Sequence, residues 1–190
     1  MDPDVRIRAE FESLARLASQ TTGQAEALLA IAERYRATLA AGGALFFAGN
    51  GGSAADAQHI AAEYVVRFQA TRRGLPAIAL TADASVLTAA GNDLGFEQIF
   101  ARQVEALCRP GDLLVLQSTS GESDNLLAAA AAARAKGVTV VAFLGKGGGR
   151  LAPLADLAFI VASDVTSRIQ EIQMAAQHII AGLLDEVTFR

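Results

Sequence analysis

Two histidines and one glutamate are the residues of this chain whose types and spacing best suit proton transfer. His59 and Glu63 are four residues apart, so on a helix they lie on one face. His178, the second of only two histidines, lies in "SRIQEIQMAAQHIIAGLL". An imidazole and a carboxylate together can supply an acid and a base. From spacing alone, a surface hydrogen bond between His59 and Glu63 and a core position for His178 are the simpler interpretations.

The segment "GNGGSA", residues 49–54, fits the G-x-G-x-x-A pattern of dinucleotide-binding turns. That pattern requires an acidic residue about 20 positions later to bind a ribose hydroxyl, and Asp83 comes about ten residues too late. No Walker lysine follows the glycines. An NAD(P)-dependent oxidoreductase is therefore a poor interpretation, whereas helix capping by Ser53 and anion binding both stay open.

A second turn, "QSTSGESDN", also lies between an apolar run and an amphipathic segment. It clusters hydroxyl groups and backbone amides where a helix begins, which suits the acceptor oxygens of a phosphate monoester. Because helix capping alone does not need so many hydroxyl groups, the turn predicts a phosphate site. Glu122 should then face solvent, since its charge would repel the ligand. The hydroxyl residues of this turn are Ser118, Thr119, Ser120 and Ser123.

Composition and charge exclude several classes of function. The chain has 190 residues, of which 52% are hydrophobic and 19% charged, and this indicates a folded domain. A net charge of -4 argues against nucleic-acid binding. Cys108 is the only cysteine, which excludes an intrachain disulfide and a thiolate zinc cluster and favours a structural thiol. Without a signal-peptide core or an apolar run of about 18 residues, we expect a cytoplasmic protein with no membrane partner.

From Gly42 onward, short apolar runs alternate with longer amphipathic segments. Strands without polar alternation, each joined to the next by a helix, predict a parallel sheet covered on both faces. We therefore predict an α/β fold of the doubly wound, flavodoxin-like type with five parallel strands. The predicted strands are 44–48, 77–80, 113–117, 138–144 and 157–161, and the predicted helices lie near 53–68, 84–91, 96–107, 123–136 and 167–188, with "GKGGGR" as a loop.

Residues 1–41 are predicted to form two helices, interrupted at "QTTGQ", that extend from a domain of residues 42–190. The apolar faces of these helices exceed what one face of a sheet needs, so we expect a packing partner for them. Sheets of the predicted type bind ligands beyond the carboxyl ends of their strands. Both serine-rich turns follow predicted strands and should lie at that edge.

Five segments resemble, in order, the motifs of the phosphoheptose isomerases, which are enzymes with a sugar isomerase (SIS) domain. The resemblance implies conversion of D-sedoheptulose 7-phosphate to D-glycero-D-manno-heptose 7-phosphate through an enediol(ate), the first step of nucleotide-activated heptose biosynthesis. It also implies a homotetramer whose active sites are shared between subunits. The segments are "GNGGSAADAQHIAAE", "GLPAIALTAD", "GNDLGFEQIF", "STSGESDN" and "RIQEIQMAAQH".

The resemblance assigns roles to individual residues. Glu63 is implied as the catalytic base and His178 as its acid/base partner. Some family members bind zinc, and the matching ligands here are His59, Glu63, Gln170 and His178. The residues implied to bind the sugar and its phosphate are Asn50, Gly51, Gly52, Ser53, Arg67, Asn92, Asp93, Ser118, Thr119, Ser120, Ser123 and Gln170.

An alternative function is that of a non-catalytic SIS-domain protein that binds a DNA replication initiator. Members of that branch resemble this chain in the sheet and in the "RIQE" segment. They lack the acid that matches Glu63 and the histidine that matches His178. Both residues are present here, which favours the enzyme.

Overall fold

The computed structural model describes residues 2–186, which form a five-stranded parallel sheet between two layers of helices. The strands are β1 (Leu45–Gly49), β2 (Ala77–Ala79), β3 (Leu113–Ser118), β4 (Thr139–Leu144) and β5 (Leu157–Ile160). Their order in the sheet is β2-β1-β3-β4-β5, with every neighbouring pair parallel. This order is that of the flavodoxin-like, doubly wound fold, and it confirms the predicted fold class.

Within residues 2–186, seven α-helices connect and flank these strands. They are α1 (Pro3–Thr21), α2 (Ala25–Ala40), α3 (Gly52–Val65), α4 (Ala84–Asp93), α5 (Ala101–Leu107), α6 (Asp124–Ala135) and α7 (Thr166–Glu186). A 3-10 turn, Thr22–Gln24, separates α1 from α2 at the predicted interruption. Two further 3-10 segments are Phe96–Gln98 and Lys146–Leu154. The last two residues of the predicted helix 167–188 lie outside the described part of the chain.

The core lies on both faces of the sheet because the strands are apolar at successive positions. On β1, Leu45 and Phe47 point to the face covered by α2, α3 and α7, while Phe46 and Ala48 point to the face covered by α4, α5 and α6. All five residues of β1 are buried. Burial on both faces explains why the strand sequences show no polar alternation.

Three predicted segments differ from the structure by more than two residues at one end or in their type of structure, and the others agree to within two residues wherever the structure describes them. The helix predicted over 53–68 ends at Val65, and the chain then forms a loop whose amides at Gln69 and Ala70 donate to the Asp185 carboxylate. The helix predicted over 96–107 is a 3-10 turn followed by α5. The segment predicted as a loop at "GKGGGR" contains 3-10 turns, interrupted where Gly147, Gly148 and Gly149 have positive φ.

Of the two N-terminal helices, α2 packs onto the sheet layer, whereas Leu17 is the one buried residue of α1. Helix α2 buries Ile31, Tyr35 and Leu39, and the Tyr35 ring meets Phe47 of β1 with a centroid distance of 6.4 Å. Cys108 is buried, as expected for a structural thiol. Among residues 2–186 no helix combines the length and apolar character that crossing a membrane requires. The cytoplasmic location stays a prediction.

Candidate active site

A cavity of about 310 Å³ lies beyond the carboxyl ends of β1 and β3, where doubly wound sheets bind ligands. It is bounded by the turn after β1, the turn after β3 and the start of α7. We call it the serine pocket. Its lining residues are Asn50, Gly51, Gly52, Ser53, Gln117, Ser118, Thr119, Ser120, Ser123, Thr166 and Gln170. Nine of these eleven were assigned to the ligand from the sequence; Gln117 and Thr166 were not.

The N-termini of α3 and α6 both border the serine pocket. Within residues 2–186, neither Ser53 nor Ser123 caps its helix through its side chain. Gly51, not Ser53, occupies the N-cap position of α3. Ser123 is at the N-cap of α6, yet within the described residues its side chain makes no capping hydrogen bond. The capping interpretation of Ser53 is therefore wrong. Both hydroxyl groups are placed to bind an anion that the positive ends of two helix dipoles attract.

Hydrogen bonds hold the turns around the serine pocket in place. The side chains of Asn50 and Asn125 exchange two hydrogen bonds of 2.9 and 2.8 Å, which tie the turn after β1 to α6. The Gln170 Nε2 group donates to Ser53 Oγ at 3.5 Å and so connects α7 to α3. The turn after β3 is closed by the Gly121 amide, which donates to Ser118 Oγ at 2.9 Å. The pocket walls therefore come from three separate parts of the chain, fixed to one another.

Gln117 lines the serine pocket, although the sequence patterns assign it no functional role. Its side chain is fully buried near the end of β3, and neither amide atom has a hydrogen-bond partner within residues 2–186. An unpaired buried amide costs free energy, so polar residues rarely occupy such positions. The available signal was a glutamine at the end of an otherwise apolar run. The predicted strand 113–117 includes Gln117 and assigns it no role in ligand binding.

A second cluster of functional side chains lies further along α3. The Nε2 atom of His59 is 3.3 Å from Glu63 Oε1 and 3.3 Å from His178 Nε2. Phe68 stacks on the His178 ring with a centroid distance of 5.4 Å and an interplanar angle of 12°. Helices α3 and α7 thus bring together residues that are 119 positions apart. We call His59, Glu63 and His178 the acid/base cluster.

The acid/base cluster has a donor set that fits a zinc ion. One atom from each of its three residues can be chosen so that all lie within 4.8 Å of one another. Two imidazole nitrogens and one carboxylate oxygen are ligands that zinc commonly takes, at about 2.0–2.2 Å. Ligand atoms at that distance around a tetrahedral ion stand about 3.4 Å apart, close to the spacing of the His59 nitrogen from its two neighbours. Gln170, the fourth implied ligand, contacts Ser53 in this structure.

Comparison with known proteins places the chain in a family. Residues 11–145 match the model of the SIS domain family. A phosphoheptose isomerase from Roseiflexus sp. is 52% identical over 166 residues, covering 87% of this chain and 84% of that protein. One from Solidesulfovibrio magneticus is 49% identical over 187 residues, covering 97% and 91%. The chain belongs to the phosphoheptose isomerase family.

Solved structures of this family have the same fold as this chain. The phosphoheptose isomerase from Francisella tularensis matches it with a TM-score of 0.94 at 35% identity, covering 98% of this chain and 100% of that one. The phosphoheptose isomerase from Neisseria gonorrhoeae matches with a TM-score of 0.92 at 38% identity, covering 96% and 98%. The agreement therefore extends over the N-terminal helices as well as the sheet.

Three residues that the phosphoheptose isomerase resemblance assigns to the substrate lie outside the serine pocket of the single chain. Arg67 is exposed in the loop that follows α3. Asn92 and Asp93 are exposed at the end of α4, where the Asn92 amide donates to Asp93 Oδ1 at 2.6 Å. Asp93 lines a different cavity, of about 380 Å³, together with Arg102. The structure therefore brings together the hydroxyl residues but leaves these three apart from them.

We expect Gly121→Ala to destabilise the fold by about 2 kcal/mol or more. Gly121 has a φ of +68°, which side chains disfavour, and an added Cβ would overlap the Gly148 carbonyl group. Urea denaturation would measure the loss. Gly137→Ala is the matched control, because Gly137 has a φ of +70° but no atom within 4 Å of the added Cβ. Equal losses in the two variants would contradict a close-packed contact at Gly121.

Proposed function

We propose that this chain is a phosphoheptose isomerase that converts D-sedoheptulose 7-phosphate to D-glycero-D-manno-heptose 7-phosphate. The observation that carries the proposal is the combination of a hydroxyl-lined pocket at two helix N-termini with a carboxylate held beside two histidines. The relatives that share about half of its residues bear the name of this activity. A phosphate bound in the serine pocket would fix one end of the substrate.

The reaction moves a proton between C1 and C2 of the open-chain sugar. In our proposal the Glu63 carboxylate removes a proton from C1 of the ketose, which gives an enediol(ate), and delivers it to C2. His178 donates a proton to the oxygen on C2 and accepts one from the oxygen on C1. The 3.3 Å contacts of His59 with both residues support this assignment, because they hold the base and its partner next to one another.

We further propose that the acid/base cluster holds a zinc ion, with Gln170 as a fourth ligand. When bound, the metal would supply a Lewis acid able to polarise substrate oxygens. His59, Glu63 and His178 would be the principal ligands, since a neutral amide is not among the usual ligands of zinc. Gln170 would have to leave Ser53 in order to join them.

Incubation with sedoheptulose 7-phosphate, with and without a chelator, tests the proposed reaction and its metal dependence together. We expect the aldose product in both cases, with the rate after chelation lowered about tenfold or more and restored by zinc. Absence of product from the metal-loaded protein would contradict the isomerase function. An unchanged rate in metal-free protein would contradict only the metal's part in catalysis.

We also propose that the chain forms a tetramer whose active sites are shared between subunits. Ser53 and Glu63 are ten positions apart on α3, a separation of about 15 Å along the helix axis. The serine pocket and the acid/base cluster of one chain are thus well separated. Exposed apolar side chains on α1, at Val5, Ile7 and Phe11, support a packing role for residues 1–41.

Mixing two inactive variants tests whether sites are shared. Glu63→Gln and Ser120→Ala chains, unfolded together and refolded, would regain activity if one site takes its base and its phosphate loop from different chains. A mixture as inactive as its components would contradict shared sites. Light scattering of the unmodified chain tests the tetramer separately, and a monomer would contradict it.

The non-catalytic alternative has no observation in its favour. It was based on a branch of SIS proteins that lacks the acid and the histidine of the acid/base cluster. In this chain Glu63 and His178 are both present and lie within 4.8 Å of His59 and of one another. A catalytic function therefore accounts for these residues, whereas initiator binding does not.

A further inference from the structure

The glycine-rich segment after β4 packs directly against the turn that forms one wall of the serine pocket. A Cβ on Gly149 would lie 2.5 Å from the Ser120 carbonyl oxygen and 2.6 Å from Glu122 Oε1. The Leu151 amide donates to the Gly121 carbonyl oxygen at 3.0 Å. The sequence "GKGGGR" predicts only a loop. Its backbone instead contacts the serine-rich turn after β3, residues 118–123, which we call the serine turn.

Arg150, the last residue of "GKGGGR", holds the serine turn through four hydrogen bonds. Its Nε group donates to Glu122 Oε2 at 2.6 Å, and its backbone amide donates to Glu122 Oε1 at 3.0 Å. Its Nη2 group donates to the Glu122 carbonyl oxygen at 2.8 Å and to Asp124 Oδ1 at 3.0 Å. Glu122 is exposed, as predicted, and this contact turns its carboxylate toward Arg150.

The charges at this turn present a difficulty for an anionic ligand. Glu122 lies between Ser120 and Ser123, which both line the serine pocket, and Asp124 follows directly. A sugar phosphate carries close to two negative charges near neutral pH, so both carboxylates would repel it. Hydrogen bonds from the Arg150 side chain and backbone lower the pKa of Glu122, and its negative charge is therefore kept near neutral pH. The Arg150 guanidinium offsets that charge.

We propose that Arg150 is a positioning residue for phosphate binding. It directs the Glu122 and Asp124 carboxylates away from the serine pocket and fixes the backbone that carries Ser120 and Ser123. This role rests on the proposed function, because it assumes that the serine pocket binds the phosphate of the substrate. Arg150 acts through Glu122 and Asp124, and it is not among the residues that line the serine pocket.

Calorimetric titration with inorganic phosphate tests the role without relying on catalysis. We expect Arg150→Gln to weaken phosphate binding about three- to tenfold, since it removes two exposed ion pairs and a bond to a backbone carbonyl. Arg150→Lys should be intermediate, because it keeps the charge but cannot form the same fork of hydrogen bonds. Arg36→Gln is the control, as it breaks an exposed ion pair with Glu33 on α2.

A double variant separates the effect of charge from loss of the fold. In Glu122→Gln/Arg150→Gln one carboxylate and one cation are removed together, so we expect phosphate affinity to recover partly relative to Arg150→Gln. Glu122→Gln alone should bind phosphate at least as tightly as the unmodified chain. This single variant keeps the proposal testable if Arg150→Gln fails to fold. Threefold weaker binding by Glu122→Gln would contradict repulsion by that carboxylate.

Steady-state kinetics provide the second measurement. Arg150→Gln should raise KM for the sugar phosphate by the same factor as the phosphate dissociation constant, with kcat within about twofold of the unmodified chain. A fall in kcat at unchanged KM, or phosphate binding by Arg150→Gln within twofold of the unmodified chain, would overturn the proposal. Failure of the unmodified chain to bind phosphate would instead contradict the serine pocket and the proposed function.

Discussion

Replacing Glu63 with Gln is expected to lower kcat by about 10³-fold, the range of a lost general base. The amide has nearly the same shape as the carboxylate but cannot accept a proton from carbon. Glu63 keeps about a quarter of its side-chain surface exposed (23%), so solvent and substrate can reach it. The measurement is the rate of aldose formation from sedoheptulose 7-phosphate at saturating substrate.

Three controls test whether the loss of kcat comes from removing the Glu63 carboxylate as a base. Glu33→Gln removes an exposed carboxylate on α2, outside the serine pocket and the acid/base cluster, and should leave kcat unchanged. Inorganic phosphate should bind Glu63→Gln as tightly as the unmodified chain, because the serine pocket is untouched. Zinc content is measured as well, since Glu63 is also a proposed ligand. Near-normal turnover by Glu63→Gln would contradict the assignment of the base.

The sheet could be predicted because its strands are buried on both faces. Leu113, Leu114, Val115 and Leu116 are all fully buried, and this uninterrupted apolar run is what separates a parallel strand from an exposed antiparallel one. Helix ends were harder to predict, because they depend on contacts with residues that are distant in the sequence. Helix α3 ends at Val65, and the loop beyond it is held by Asp185, more than 100 positions away.

The two serine-rich turns could be predicted from local sequence, but the distant residues that hold these turns in place could not. Hydroxyls clustered after a strand and before a helix indicate an anion site whatever the rest of the chain does. The contact of Gln170 with Ser53 joins residues 117 positions apart, and that of Arg150 with Glu122 joins residues 28 apart. Such pairs have no local pattern, because chain topology alone brings them together.

Predicting the position of the acid/base cluster required both local residue spacing and the resemblance to a known family. The spacing of His59 and Glu63 placed them on one face of a helix, which α3 shows. That His178 joins them was implied by the family resemblance and not by its own surroundings, which suggested a core residue. The ring lies instead against Phe68 at a partly exposed edge of the core. The apolar pattern around His178 gave the wrong prediction of a core position, because a mostly apolar helix can still direct one polar side chain toward a site.

A buried ion pair supports the end of α3 that carries Glu63, the proposed catalytic base. The Arg72 and Asp185 side chains are 6% and 4% exposed, and their Nε and Oδ1 atoms are 2.8 Å apart. Arg72 also donates to the carbonyl oxygens of Glu63 and Tyr64, which are terminal carbonyls of α3. Asp185 in turn accepts the amides of the loop that follows. The pair thus joins α3, that loop and α7.

We expect Asp185→Asn to destabilise the chain by about 3 kcal/mol, because removing one partner leaves a buried charge uncompensated. For a chain of this size that corresponds to a fall in Tm of about 6–12 °C. Thermal unfolding at a fixed chain concentration measures it. Asp4→Asn is the matched control, since the Asp4–Arg8 pair has similar chemistry but its side chains are 65% and 73% exposed. This control should change Tm little.

The pH dependence of the Asp185→Asn effect follows from the direction of the Asp185 pKa. Burial would raise that pKa, but hydrogen bonds from the Ala70 and Gln69 amides and from Arg72 outweigh it and hold the pKa below its ordinary value of 3.8. The carboxylate therefore stabilises the fold fully above pH 3.8 and loses this contribution as the pH falls through the lower, folded-state pKa. The Tm difference between Asp185→Asn and the unmodified chain should accordingly stay constant at neutral pH and narrow below pH 3.8. A difference that widened on acidification would contradict the lowered pKa of Asp185. An Asp185→Asn chain as stable as the unmodified one would show instead that the carbonyl groups of Glu63 and Tyr64 satisfy Arg72 without Asp185.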